Sequence, residues 1–188
     1  MKTVLILLAL IQTFTALAQE TVKFRGEITE KSLARLDKKI TEAVARLPMD
    51  GDRRIILNLS SGGGNLFATL RFNDRMRASA RALNFELHTL VTSNCESSCT
   101  VLYTVGSHRL AGKRGRFGFH SPKIESRLPK GVRKEDVLRN ARARWMAAVK
   151  EIDPTLAEEL DRKRFLYYDD MSYFSSRELL TGYVNELI

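Results

Sequence analysis

The sequence has little of what holds a protein together without a core. Two cysteines in 188 residues exclude a disulfide-framework miniprotein and a four-cysteine zinc site. Four prolines and eleven glycines exclude collagen-like and proline-rich material. No apolar run reaches the roughly 20 residues that a bilayer-spanning helix needs, and no internal repeat or low-complexity tract is present. The chain also lacks interleaved aromatics and any nucleic-acid-binding motif, so nucleic acid is not expected as a partner. What is plentiful is apolar material, 44% of residues, enough to close a core, and positive charge: 31 Lys and Arg against 22 Asp and Glu, a net +9. One basic, globular domain of ordinary length follows.

Lys2 precedes an unbroken apolar run from Val4 to Ile11, and small residues follow at Ala16-Leu17-Ala18. A positive start, a short apolar middle and an A-x-A site make a secretory signal peptide over residues 1–18, cleaved after Ala18. An uncleaved anchor is the alternative, and the run is short for one. Gln19 stands where a lipoprotein would carry cysteine. The expectation is a periplasmic or secreted protein whose single domain occupies residues 19–188. In an oxidising compartment Cys95 and Cys99 have two fates. They pair as a local clamp, or they stay free and buried as small apolar residues.

Alternation of strand and helix patterns sets the fold class. Val22–Thr29 reads as a strand, and Leu33, Leu36, Ile40, Val44 and Leu47 form one apolar stripe on a helix from Ser32 to Leu47. Ile55–Leu59 is an apolar run of strand length, as in a sheet covered on both faces. After Gly62-Gly63-Gly64 comes a helix from about Asn65 to Ala82, then a strand from Phe85 to Val91. A turn over Thr92–Glu96 is expected to feed a helix over Ser97–Val105. Arg109–Ala111 and Arg116–Phe119 read as short strands and Lys134–Lys150 as a helix. Asp153-Pro154 caps another helix, and a short helix over Ser175–Leu180 with a final strand at Tyr183-Val184 is expected to close the chain. The class is α/β with a largely parallel sheet.

Three places join tight turns to reactive side chains. Ser60-Ser61-Gly62-Gly63-Gly64-Asn65 is a glycine turn entering a helix, whose exposed amides suit an anion, although a phosphate loop's lysine is missing. Cys95-Glu96-Ser97-Ser98-Cys99-Thr100 opens a helix, where a serine is either a cap or a nucleophile in a favourable field. Gly118-Phe119-His120-Ser121-Pro122 ends a strand on a histidine. His88 and His108 have no such pattern around them.

In that order these segments resemble the Clp protease proteolytic subunit and, more closely, its exported relatives in the Clp/crotonase fold. Phe24-Arg25-Gly26-Glu27-Ile28 is similar to the family's opening strand, and Leu59-Ser60-Ser61-Gly62-Gly63-Gly64 to its Asn-Ser-Pro-Gly-Gly turn. Ser97-Ser98-Cys99, with Gly106 nine positions after Ser97, resembles its serine helix, and His120-Ser121-Pro122 its His-Gln-Pro. Asp170, twelve residues before Gly182-Tyr183-Val184, resembles its third catalytic residue, with adjacent Asp169 as the other option. The sequence departs from the pattern at Cys95-Glu96, where the family has small residues, and at Cys99, where it has glycine. The serine–histidine interval is also shorter, at the turn around Ser107-His108.

The resemblance implies a Clp/crotonase-like α/β fold of stacked ββα units, with a largely parallel sheet and flanking helices. It also implies a serine hydrolase, most naturally a peptidase, with Ser97 as nucleophile, His120 as base and Asp170 as orienting acid. Backbone N–H groups of Gly63 and Ser98 would form the oxyanion hole, and no metal or other cofactor is called for. Ser98 is the alternative nucleophile, disfavoured by its register to Gly106. A peptide or protein is the expected substrate and a homo-oligomer is admitted. An ATPase partner is not expected where ATP is absent. Two other outcomes stay open: an inactive binding module of the cell envelope and a crotonase-like acyl-thioester enzyme. For the first, the basic stretch at 113–134 is either an envelope contact or a solvated loop.

Overall fold

The computed structural model describes residues 18–49, 51–124, 128–180 and 182–188. The signal-peptide expectation falls almost wholly on residues 1–17, outside the described residues. The predicted cleavage point lies just after Ala18, the first residue of the first strand.

The architecture is the expected α/β one. Strands β1 (Ala18–Arg25), β2 (Arg53–Ser61), β3 (Glu86–Glu96), β4 (His108–Ala111) and β7 (Glu186–Leu187) lie side by side in that order, and all their pairings are parallel. Helix α1 (Glu30–Arg46) crosses from β1 to β2 and α2 (Leu66–Ala82) from β2 to β3. Each begins as its sequence dictates. Thr29 and Ser32 form a reciprocal capping box on α1, and Asn65 caps α2 by accepting from the Ala68 N–H at 2.9 Å. The α1 stripe of Leu33, Leu36, Ile40 and Val44 is buried against the sheet, where alternate residues of β2 (Ile55, Leu57, Leu59) are wholly covered.

Strand β3 serves two neighbours. His88–Val91 pair with β4, and Asn94–Glu96 pair with β5 (Arg116–Phe119). Thr92–Glu96 therefore continue the strand instead of turning, and α3 (Ser98–Tyr103) starts directly at its end. The sequence pattern hides this because the polar run Thr92-Ser93-Asn94 is exposed while still in strand conformation.

A second correction concerns the C-terminal part. Ser172–Ser175 form strand β6, antiparallel to β5, and residues 176–180 are turns, where a helix was expected over Ser175–Leu180; the last strand, expected at Tyr183-Val184, begins two residues after Val184. Phe174 packs edge-on against Phe119 at 5.6 Å, which fixes β6 beside β5. Helices α4 (Lys134–Lys150) and α5 (Pro154–Arg162) pack on each other outside this unit, α5 starting on the Asp153 cap and Pro154 as the sequence indicates. Beneath α3 the tail is held by polar contacts in the core. The Tyr183 hydroxyl donates to Thr100 O, and the buried Arg109 guanidinium donates to Gly106 O, Gly182 O and Tyr183 O. No helix among the described residues is long and apolar enough to cross a membrane.

Candidate active site

The C-terminal ends of β2, β3 and β5 meet at one corner of the sheet, and each delivers one of the three singled-out segments there. The β3–α3 junction has no room for a loop, so one residue must absorb the change of direction. That residue is Ser97, at φ 54° and ψ −131°. A left-handed backbone is rare for a residue with a Cβ. Strain of this kind, roughly 1–3 kcal/mol, persists where the surroundings over-determine it and collects at functional sites. Ser97 does not act as a cap, since its side chain makes no capping hydrogen bond.

Two covalent and hydrogen-bonding ties hold the junction. A disulfide joins Cys95 at the end of β3 to Cys99 in α3, with a Cα separation of 5.2 Å. Of the two fates open to these thiols, pairing is the one realised. The Ser97 N–H donates to Gly118 O on β5 at 2.8 Å, which brings the serine alongside the strand that ends at His120.

The glycine turn closes on the same point. Gly63 has φ +100°, and a Cβ there would come within 2.5 Å of the Ser97 Cβ and 3.1 Å of its Oγ. Only glycine lets the turn lie against the serine. Gly64, at φ +143°, passes against the Ile28 carbonyl in the same way, which ties the turn to the segment after β1. The Gly63 N–H donates to the buried Ser61 Oγ at 3.0 Å, and that hydroxyl donates to Gly26 O at 2.6 Å. An oxyanion at Gly63 would therefore share or displace the Ser61 oxygen.

The two adjacent serines are sharply different. Ser97 is half-exposed, while Ser98 is 1% exposed and its Oγ has no hydrogen-bond partner among the described residues. Ser97 is the more accessible of the two.

His120 is half-buried just beyond β5, with the Trp145 ring of α4 edge-on to it at 6.2 Å. Burial, and then the charge of Lys123, hold its pKa below the ordinary 6.5; the Ser121 backbone, Asp169 and Glu96 act in the opposite direction. The imidazole is thus biased toward its neutral, proton-accepting form. Its Nδ1 is buried and has no hydrogen-bond partner among the described residues. An orphaned buried nitrogen of this kind calls for a functional explanation. The segment before β6 runs beside it, with the Ser121 N–H donating to Tyr168 O at 2.7 Å. Asp169 and Asp170 follow on that segment, both exposed, and of the pair it is Asp169 whose charge acts on His120.

Sequence reasoning passed over three neighbours of the site. In sequence nothing sets Trp145 apart from Ala141 and Val149, the other buried residues of α4. Tyr173 lies on a strand the sequence did not reveal, and its hydroxyl donates to Glu96 Oε1 at 3.1 Å. Glu96 was noted only as a departure from the family's small residue. Among the described residues, no group of three or more His, Cys, Asp or Glu could hold a metal ion.

No family model matches the chain, and no curated protein matches its sequence. Among solved structures it is similar to a ClpP1 mutant from Listeria monocytogenes, with 19% identity over 89% of this chain and 90% of that one and a TM-score of 0.68. The chain therefore has a Clp protease-like fold: α/β, with a parallel sheet and flanking helices.

Proposed function

We propose that this protein is an exported serine hydrolase, most naturally a peptidase, with Ser97 as nucleophile and His120 as general base. The observation that carries the proposal is the left-handed backbone of Ser97, held against a glycine that admits no side chain. Such a turn presents an exposed hydroxyl to a neighbouring carbonyl while the chain's own amides face the same space.

In the reaction Ser97 Oγ bonds to the substrate's carbonyl carbon as its proton passes to His120. The negative oxygen that forms is met by the Ser98 N–H, and by the Gly63 N–H once that amide exchanges its Ser61 partner. His120 then returns the proton to the departing amine, and the C–N bond breaks. Water repeats the sequence on the acyl-enzyme, releasing the acid and restoring the serine. The third role falls to the Asp169-Asp170 pair. Asp170 is the residue the family resemblance selects, while the electrostatics around His120 favour Asp169. An oxyanion donor is worth about 2.7–4 kcal/mol in comparable enzymes, so the glycine turn matters as much as the base.

The partners this reading implies are a peptide or protein substrate and further copies of the chain. Export, with signal-peptide removal after Ala18, fits a disulfide at the site, since such bonds persist outside reducing compartments. The test is covalent labelling by a fluorophosphonate. Labelling should be lost in Ser97→Ala and retained in Ser98→Ala. Folded protein that takes no label would favour a binding module instead.

A further inference from the structure

Beside the serine stands a carboxylate that the proposed chemistry does not use. Glu96 ends β3, and its side chain leans across Gly118 of β5, whose missing Cβ would lie 3.0 Å from Glu96 Cγ. On its other side Glu96 Oε2 lies 3.8 Å from where a Cβ of Gly62 would be. Two of the three glycines of the turn thus divide the site, Gly63 against Ser97 and Gly62 against Glu96. The charge of Glu96 also reaches His120.

The carboxylate is held in place but not neutralised. Its Oε1 accepts from the Tyr173 hydroxyl at 3.1 Å, while Oε2 takes no hydrogen bond and the side chain no ion pair among the described residues. Arg116, the cation of the adjoining strand, stacks over the Tyr173 ring at 4.2 Å instead of pairing with Glu96. Met171 lies over Gly118 next to the Glu96 stem, and Tyr173 is 43% exposed. A carboxylate beside a thioether and an aromatic side chain suits a long side chain with an apolar stem and a cationic head.

We infer that Glu96 is a specificity-determining residue and that the substrates are peptides carrying lysine or arginine next to the scissile bond. The inference rests on the serine-hydrolase reading and deepens it. A carboxylate without an ion pair among the described residues, in a chain of net charge +9 and at a corner where Asp169 also acts on His120, repels acidic residues there, although the rest of the surface attracts them.

The experiment uses the full oxidised chain and fluorogenic peptide amides that differ only in having Arg, Leu or Glu next to the cleaved bond. The wild type should cleave the Arg peptide at least about tenfold faster than the Glu peptide, as a charge in a partly exposed site discriminates. Glu96→Gln should bring that ratio close to one, and Glu96→Lys should invert it. The ratio is internal to each variant, so a general loss of rate does not imitate the effect. Unlabelled Arg and Glu peptides titrated onto Ser97→Ala protein give the same comparison without turnover. A wild type indifferent to charge, or a preference that survives in Glu96→Gln, would overturn the assignment. Failure of the serine reading shows itself separately, as folded protein that takes no fluorophosphonate.

Discussion

The two ends of β3 carry similar residues and differ in almost everything else. At its start, the His88 and His108 rings pack tilted to each other with centroids 5.3 Å apart, with His88 Nε2 3.0 Å from Glu86 Oε2 and His108 Nε2 3.3 Å from Glu186 Oε2. They line a cavity of about 580 Å³ together with Arg54 and Gln19. Each imidazole has its own carboxylate, and every residue involved lies on a regularly paired strand. At its far end, one imidazole has an orphaned buried nitrogen, one serine has a left-handed backbone, and two glycines leave room beside a carboxylate. Collecting reactive residue types at a cavity is therefore not what marks the candidate site. A buried nitrogen without a hydrogen bond occurs at both ends, Arg54 Nε at the start and His120 Nδ1 at the far end. The backbone is regular at the start and left-handed at Ser97, and such strain is where function is expected.

Substitutions at the two ends should separate accordingly. The largest effect is expected from Ser97→Ala, which should lower peptide hydrolysis by about 10⁶, as removal of a nucleophile does, while the melting temperature stays close to wild type. His88→Gln and His108→Gln should leave turnover unchanged in the same assay. Gly63→Ala comes next, because its Cβ would meet both Ser97 Cβ at 2.5 Å and Glu96 O at 2.8 Å. It should lower kcat by a factor of about 10² or more and also cost stability in denaturant titration. Reducing the Cys95–Cys99 bond should lower stability by about 2 kcal/mol on loop-closure grounds. The loss in activity should be larger than that destabilisation explains, because the bond clamps the turn that presents Ser97. Ser98→Ala should change stability by no more than about 1 kcal/mol, toward greater stability, since it removes a buried hydroxyl with no partner.

A pH profile sharpens the comparison further. Burial holds both His88 and His120 below the ordinary 6.5. A neutral His120 is the competent base, so kcat/KM should rise with pH through a midpoint below 6.5 and then level off. The unfolded chain binds more protons than the folded one just below 6.5, so stability should fall as the pH drops through that region. His88→Gln should remove part of the stability change and none of the activity change.

Much of the fold was legible because apolar periodicity dominates where helices cover a sheet: the α1 stripe, the β2 run and the Asp153-Pro154 start all lie where the pattern puts them. What was not legible depends on tertiary pairing. Thr92-Ser93-Asn94 look like a turn because they are polar, yet they stay in strand conformation where β3 passes from β4 to β5. Ser172–Ser175 carry no alternating pattern and become a strand through pairing with β5 and the Phe174–Phe119 contact. At the site, the order of glycine turn, serine and histidine picks out three segments that the fold brings to one corner of the sheet. The roles of Glu96, Tyr173 and Trp145 depend on which strands adjoin, and no local spacing records that. The choice between Asp169 and Asp170 is of the same kind.

Which hydroxyl an electrophile finds is the most direct test of Ser97 as nucleophile. Oxidised, folded protein treated with a fluorophosphonate and analysed by peptide mass mapping should carry a single adduct, on Ser97, formed much more slowly in His120→Ala. An adduct on Ser98, or unmodified protein after full exposure, would contradict it.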